Sequence, residues 1–388
     1  MAQKLLKYPS IALAIVLVLV LRLLRPLVHI RFGVLPGIRI GHFVSEPELY
    51  LCMREAGLLP QNTIDLFWFT GKISNQQLAL MWRRALHMHP FYHRLYLVNR
   101  QFFNFADHNI PRLPAQDRDV HGLLRRSAPH LHFTAQEDQR GRAAMSQLGL
   151  PEDARFVCFH SRDNGYSALN VTPEQIRMYG CRNSQVETYL PAAEMLAEAG
   201  YYVLRLGVST AQTFEAPHQN IIDYTARGRS DFMDIYLLSR CAFYLGDTCG
   251  LAEVPKVFRR PVAWANFTTL EQAPTWSEQD IFIPQKFRLR AEDRYLNFRE
   301  ILDAGIGRYQ HCHEFDDSGI DVIPNTAQEI TGLALEMDAR LNGTWNTTEE
   351  DETLQARFWS LWQTSDLNSE FKCRIGAHFL RENRELLT

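Results

Sequence analysis

Hydrophobic and polar positions along this chain fall into blocks whose period changes, and each change predicts an element. The unbroken apolar run from Ile11 to Leu21 lies between Pro9-Ser10 and Pro26, so a single helix over residues 10–25 is expected. GVLPGIRIGHF reads as a Gly-punctuated extended segment, and PELYLCMREAG as a helix begun by Pro47 and stopped by Gly57. IDLFWFT follows as an apolar strand, NQQLALMWRRALHM as a helix opened by Asn75, and HRLYLVNRQFF as another extended run. From Asp107 to Arg140 the periodicity weakens among Pro, His, Asp and Arg, which marks a boundary near residues 140–150.

Beyond that boundary the pattern sharpens. RFVCFHS is a buried strand, LPAAEMLAEAG a helix with Pro191 in its first turn and Gly200 after its end, and YYVLRLG the next strand. NIIDYT, the Ser230-capped helix DFMDIYLLSR and the strand AFYLG repeat the unit; LAEVPKVFRR and PVAWANF repeat it again. Strands alternating with helices predict a parallel, Rossmann-like sheet. The tail is acidic at Glu349 to Glu352, then amphipathic from Ala356 to Leu387, and is expected to pack back onto the body. The expected organisation is an N-terminal helix (1–30), a first α/β domain (31–145), a second (146–345) and C-terminal helices (346–388).

Length and composition agree with two domains. The chain has 388 residues, 46% hydrophobic and 22% charged, enough for large cores and too apolar for a disordered protein. Its net charge of -3 provides no global field for nucleic acid. The charge is uneven, because Lys4, Lys7, Arg22, Arg25, Arg31 and Arg39 all precede the first acid, Glu46. A helix over residues 10–25 is about 24 Å long, short of the roughly 30 Å hydrocarbon core, and no small-residue cleavage site follows it. Basic flanks suit an anionic leaflet, so membrane association is expected with the number of crossings open; a buried core helix is the alternative. Seven scattered cysteines without a C-x-x-C pair point to a reducing compartment. His311-Cys312-His313 is a weak metal pattern, and four sequons, at Asn170, Asn266, Asn342 and Asn346, matter only in a secretory lumen.

In open parallel sheets ligands bind at the carboxyl ends of the strands. His160, Arg162 and Asp163 follow the first strand of the second half; Arg205 lies within the next, Asp223 ends the third, and Asp247 and Thr248 end the fourth. Arginines converging on a cleft suit a diphosphate, because guanidinium is permanently charged and binds phosphate oxygens in pairs. The turn from Gly246 through Gly250 to Leu251 leaves N–H groups at a helix start, where the dipole favours phosphate, and Thr248 adds a hydroxyl. Asp247 and Thr248 are equally plausible as plain caps. Arg229-Ser230-Asp231 has the same two readings: Ser230 as N-cap and Asp231 as dipole partner, with Arg229 facing the cleft or solvent. Glu253 can accept ribose hydroxyls or stand as an exposed charge. G-x-G-x-x-G after a strand, G-x-x-x-x-G-K-[ST], G-x-S-x-G and H-E-x-x-H are all missing, which sets aside dehydrogenase, P-loop, esterase and zincin chemistry. Spaced Asp pairs such as Asp231 and Asp234 fall on a predicted helix, unlike the strand-end pair that holds a catalytic metal, so no cofactor and no metal are expected.

RIGHFVSEPELYL, FHSRDNGY, YGCRNSQVETYLPAAEMLAEAGYYVLRLG, IIDYTARGRSDFMDIYL, FYLGDTCGLAEVPKVFRRPVAWANF and FKCRIGAHFL span most of residues 38–381. In this order they resemble a bacterial family of glycosyltransferase-like proteins of surface-polysaccharide synthesis. The first half of FHSRDNGY is similar to the strand-arginine motif of fucosyltransferase-like GT-B enzymes, which implies that Arg162 faces a nucleotide diphosphate. The sequence departs from that family at Cys181, where Tyr or Asp is commoner, and at Asp247, where Ser or Thr often stands, which weakens a phosphate role for Asp247. The resemblance implies an α/β fold of two Rossmann-like domains facing a cleft and a nucleotide sugar on the second domain. Arg162, Arg205 and Arg229 would neutralise the leaving diphosphate without a metal. A glycan or lipid-linked acceptor would sit on the first domain, at the cytoplasmic side of the inner membrane. His42, after Gly41, is the candidate base or a structural histidine. Glu187 is a second candidate, although Ser184-x-x-Glu187 reads as a capping box. Arg182 and Asn183 can position sugar hydroxyls. A catalytically inactive scaffold of the same architecture is the alternative.

Overall fold

The computed structural model describes residues 7–102, 104–111, 118–165, 172–362, 367–368 and 371–388. Asn170 and Tyr166 of FHSRDNGY lie outside the described residues. The N-terminal unit runs α1 (Lys7–Leu23), β1 (His29–Pro36), α2 (Ile40–Glu55), β2 (Thr63–Thr70), α3 (Gln76–Ala85), β3 (His87–Met88) and α4 (Phe91–Asn99). Its three strands pair in chain order, all parallel, with β1 and β2 in register from His29 opposite Thr63 to Pro36 opposite Thr70. Within that register Arg31 faces Asp65, and the buried pair is bidentate at 2.7 Å for each bond. Asn75 caps α3 as its sequence predicts, accepting the Leu78 N–H at 2.9 Å.

Two elements of this unit differ from expectation. Helix α2 starts at Ile40, and Pro47 lies inside it rather than at its head. A proline in a helix interior leaves the carbonyl four residues back without its N–H. Here that carbonyl belongs to Phe43, and the indole N–H of the fully buried Trp82 donates to it at 2.9 Å. The expected extended run HRLYLVNRQFF instead contains α4, because a helical turn presents both His93 and Tyr96 to Trp68, with ring centroids 5.3 and 5.0 Å away. Helix α1 seats Ala14 and Val18 in a cluster with Phe32, Trp68 and Leu95. Its opposite face leaves Val16 58%, Leu19 45% and Leu23 79% exposed. Among the described residues no helix is long and apolar enough to cross a membrane, so a spanning anchor has no support.

Helix α5 (Ala135–Gln147), opened by a Thr134–Glu137 capping box, leads into the large sheet. The order is then β4 (Phe156–His160), α6 (Pro173–Tyr179), α7 (Leu190–Glu198), β5 (Tyr202–Arg205), β6 (Ile221–Asp223), α8 (Asp231–Arg240), β7 (Tyr244–Asp247), α9 (Glu253–Val257), β8 (Val262–Phe267) and β9 (Ile281–Pro284). An antiparallel β-structure that the sequence pattern did not suggest follows: β10 (Lys286–Leu289), β11 (Arg294–Tyr295) and β12 (Ile320–Ile323), enclosing α10 (Phe298–Asp303) and α11 (Cys312–Asp317). The tail supplies α12 (Ala327–Leu341), α13 (Glu349–Ser360), β13 (Arg374–Ile375) and α14 (Ala377–Glu382). It packs back as expected, burying Phe358, Phe379 and Leu380, and it also adds β13 to the sheet edge. The seven parallel strands run β13-β9-β8-β7-β4-β5-β6. Chain order proceeds outward in one direction from β4 and in the other from β7, so the topological switch point lies between these two strands. Ligand crevices form at that place in such sheets.

Side chains and backbone clamp the N-terminal unit to the large sheet. A Cβ on Gly41 would lie 2.9 Å from the Gly250 Cα, so the two backbones touch. Asp231 accepts the Gln76 N–H at 2.8 Å, and its carbonyl accepts Asn75 Nδ2 at 2.9 Å. The Ser45 hydroxyl donates to Glu253 at 2.8 Å. Arg259, held at a φ of 59°, reaches Glu48 at 2.7 Å. Glu48, Cys52 and His130 bring their donor atoms together as a metal site would. Arg259 already occupies Glu48, however, and burial, which opposes the His130 proton, is outweighed by hydrogen bonds to Cys52 and Glu48 that lift its pKa to about 10. Two cations on one carboxylate make this an ion-pair latch. Against the expectation of unpaired cysteines, Cys181 and Cys312 form a disulfide between the loop after α6 and the start of α11.

Trp82→Phe keeps an aromatic ring but removes the donor to Phe43. It should destabilise the fold by about 1–3 kcal/mol, the penalty for one buried unsatisfied carbonyl, measured by urea denaturation.

Candidate functional site

Buried carboxylates need donors, and Asp247, at the end of β7, collects four. At 0% exposure it accepts the Arg162 N–H and the Ser184 and Tyr189 hydroxyls, each at 2.5 Å, and Asn266 Nδ2 at 2.7 Å. One carboxylate thereby ties together the ends of β4, β7 and β8 and the loop before α7. The phosphate-contact reading of Asp247 gives way to this structural one, since all its bonds are internal. The Ser184 hydroxyl is committed to Asp247, so the expected Ser184–Glu187 capping box does not form, and Glu187 is exposed on the 3-10 turn Val186–Tyr189.

Held by that hub, Arg162 follows β4 and Arg182 follows α6 on the loop tethered by Cys181. Arg182 Nη2 donates to the Thr248 carbonyl at 3.0 Å and to its hydroxyl at 3.3 Å. Among the described residues, neither Arg162 nor Arg182 has a carboxylate within ion-pair distance. Burial and the neighbouring Arg162 guanidinium pull Arg182 down to about 10. Burial also lowers Arg162, with a contribution from the Arg39 charge, while Cys249, Asp247 and Tyr179 oppose the shift. Two desolvated cations side by side are an unmet demand for an anion.

The N-terminal unit reaches the same place. Arg39 lies over the Tyr179 ring at 5.8 Å, and α2 begins beside Gly250 with no acid in its first turn and no side-chain cap at Arg39. That helix terminus adds a partial positive charge. His42 is in the first turn of α2, not at a strand end, and its Nδ1 lies 2.9 Å from the buried Glu46 carboxylate. A carboxylate behind an imidazole orients it and stabilises its protonated form.

Other candidates from the sequence have different surroundings. Arg205 is 0% exposed, donates to the Gln212 carbonyl at 2.7 Å and faces Asp223 at 3.4 Å and Asp163 at 3.9 Å; it stitches loops beneath the sheet end. Asp223 divides its oxygens between Arg205 and the Thr225 N–H and hydroxyl. Arg229 is neutralised by Asp231 at 2.8 Å and Asp234 at 2.5 Å, so it does not supply an unpaired cation. Ser230 is the N-cap of α8, as the pattern predicts. Asn183 donates to Asn164 at 2.8 Å beside the Arg182 loop. Leu251 packs into the core, and Glu253 is taken by Ser45 and Lys256. The structure brings together Arg162, Arg182, Thr248 and Gly250, and adds Arg39, Tyr179 and Cys249, which sequence reasoning missed. Arg39 had a signal in GIRIGH, but its charge counted only toward the basic N-terminus.

No family model and no curated protein matches the chain. Among solved structures, a glycosyl transferase family 9 protein from Veillonella parvula is 12% identical, covering 66% of this chain and 86% of its own, with a TM-score of 0.39. The dodecameric, iron-containing heptosyltransferase TibC, solved with ADP-D-beta-D-heptose, is 14% identical over 62% of this chain and 60% of its own, with a TM-score of 0.32. At these values the functional reading rests on the chemistry of the site.

Asp247→Asn places an amide N–H₂ where only acceptors fit. A loss of about 3 kcal/mol in chemical denaturation is expected, because one or more of the four donors is left facing a donor.

Proposed function

We propose that the protein is a glycosyltransferase that moves a sugar from a nucleotide-sugar donor to a glycan or lipid-linked acceptor of surface-polysaccharide synthesis. The observation that carries this reading is the pair Arg162 and Arg182, desolvated and, among the described residues, without a carboxylate in ion-pair distance, at the switch point between β4 and β7. A diphosphate matches them in charge and can accept their N–H groups in pairs. In this reading residues 146–345 hold the donor and residues 31–145 present the acceptor across the seam at Gly41 and Gly250.

Transfer needs a base for the acceptor hydroxyl and a means of stabilising the departing nucleoside diphosphate. His42, oriented by Glu46, takes the proton. Arg162 and Arg182, with Thr248 and the start of α2, hold the diphosphate as its charge develops, which is where a fixed positive environment lowers a barrier most. These cations take the part a divalent metal plays elsewhere, so the reaction proceeds without one. Arg39 carries positive charge from the acceptor side toward the same group, so closure of the seam completes the site.

The membrane part of the reading rests on α1. Its 17 residues span about 25 Å, and its inner face is fastened to β1, β2 and α4, so it lies along a leaflet with Val16, Leu19 and Leu23 turned outward. The protein then sits at the cytoplasmic face of the inner membrane, where a lipid-linked acceptor reaches it in two dimensions.

A panel of nucleoside diphosphates and nucleotide sugars should raise the melting temperature of the purified protein selectively for one base, with or without EDTA. Arg162→Ala and Arg182→Ala should each abolish that rise, and a response unchanged in both variants would refute the donor site. Vesicles containing phosphatidylglycerol should sediment the protein, and the double variant Val16→Glu/Leu19→Glu should weaken this at least tenfold with the nucleotide response intact; unchanged sedimentation would overturn the leaflet assignment.

A further inference from the structure

A cavity of about 480 Å³ opens at the other edge of the large sheet, where the linker at residues 124–129 crosses the starts of β8 and β9. In a parallel sheet the starts and ends of strands lie on opposite edges, so this space is separate from the Arg162–Arg182 site. Its wall carries Arg125, Arg126, Lys256, Arg259 and Arg260 around Trp276. Arg125 and Arg126 stand exposed at its mouth, Arg259 and Arg260 are half-buried, and Lys256 is 7% exposed and lies over the Trp276 ring at 5.4 Å.

The partners of these groups show what is missing. Arg125 pairs with Glu278, Lys256 with Glu253, and Arg259 with Glu48. Arg126 and Arg260 meet only backbone carbonyls among the described residues: Arg126 those of His121 and Gly122, Arg260 that of Ser239 at 3.0 Å. The Trp276 indole N–H, on a residue 3% exposed, has no acceptor among the described residues. Among the described wall residues Asp280 makes no ion pair; burial lifts it to about 6, which the Val262 N–H, Trp264 and the Lys256 charge partly offset. The wall thus offers two guanidinium groups and an indole donor to an anion. Its volume falls within the range of small-molecule sites, and a flat lipid surface cannot enter it.

From this juxtaposition we infer a second ligand site, built by Arg126, Arg260 and Trp276, for a small phosphate-bearing molecule distinct from the donor. Guanidinium groups and an indole N–H are all donors, as a phosphate monoester requires, and none of them is needed at the donor site. The site lies between residues 124–129 and the large sheet, so an occupant touches both segments.

Isothermal titration of the full chain with glycerol 3-phosphate tests this. Binding should persist in Arg162→Ala/Arg182→Ala and fall at least tenfold in Arg126→Ala/Arg260→Ala, while the nucleotide-induced rise in melting temperature is unchanged in the latter. Trp276→Phe, which keeps the ring and removes only the donor, should weaken binding severalfold and guards against misfolding of the double variant. Absence of binding to the unaltered protein, loss of binding in Arg162→Ala/Arg182→Ala, or full affinity in both Arg126→Ala/Arg260→Ala and Trp276→Phe would overturn the second site. The titration results do not depend on the transferase reading; the melting-temperature control alone does.

Discussion

Asp247 is removed from solvent, and a carboxylate withdrawn from water is tolerated only where donors replace its hydration. The Arg162 N–H, two hydroxyls from the loop before α7 and the Asn266 amide do so, arriving from three segments of chain. Their geometry fixes the backbone of residue 162 against β7 and aims the Arg162 guanidinium over the switch point. The loop carrying Arg182 is fixed twice, by Ser184 at its far end and by the Cys181–Cys312 bridge beside the arginine. Much of the arrangement around the site is a consequence of satisfying this one buried charge.

The distribution of positive charge then separates structure from chemistry. Arg31, Arg205, Arg229 and Arg259 all lie near carboxylates, and their charges are absorbed in holding strands, loops and the seam. Arg162 and Arg182 are not compensated in this way, and burial penalises them further. A folded chain tolerates such a pair when the remainder of its packing is strong, and the cost is recovered when an anion binds. The same contrast between paired and unpaired arginines singles out Arg126 and Arg260 on the opposite edge of the sheet.

Contact between the two α/β units depends on small residues as much as on ion pairs. Gly41 and Gly250 allow backbones to meet at a distance no side chain permits, which sets α2 against the turn after β7. Asp231 serves two masters, pairing with Arg229 while it receives the first N–H of α3. A residue read locally as a dipole partner of its own helix therefore also anchors a helix of the other unit.

By itself the sequence determined the α/β alternation, the parallel character of the large sheet, the Asn75 and Ser230 caps and the strand-end position of Arg162. Those features depend on period, propensity and the residue next in line, all of which are local. It misassigned α4 and the start of α2, because HRLYLVNRQFF has no decisive period and Pro47 reads as a helix start unless a distant donor lets it sit inside the helix. Trp82 is that donor, 39 residues from the carbonyl it satisfies. Among the arginines, sequence position placed Arg162, Arg205 and Arg229 on equal terms, and a resemblance of FHSRDNGY to a known motif, not a local pattern, favoured Arg162. Only the tertiary structure decided between them, since whether a guanidinium is neutralised depends on carboxylates brought to it by folding, and a desolvated cation exists only once the chain around it has closed.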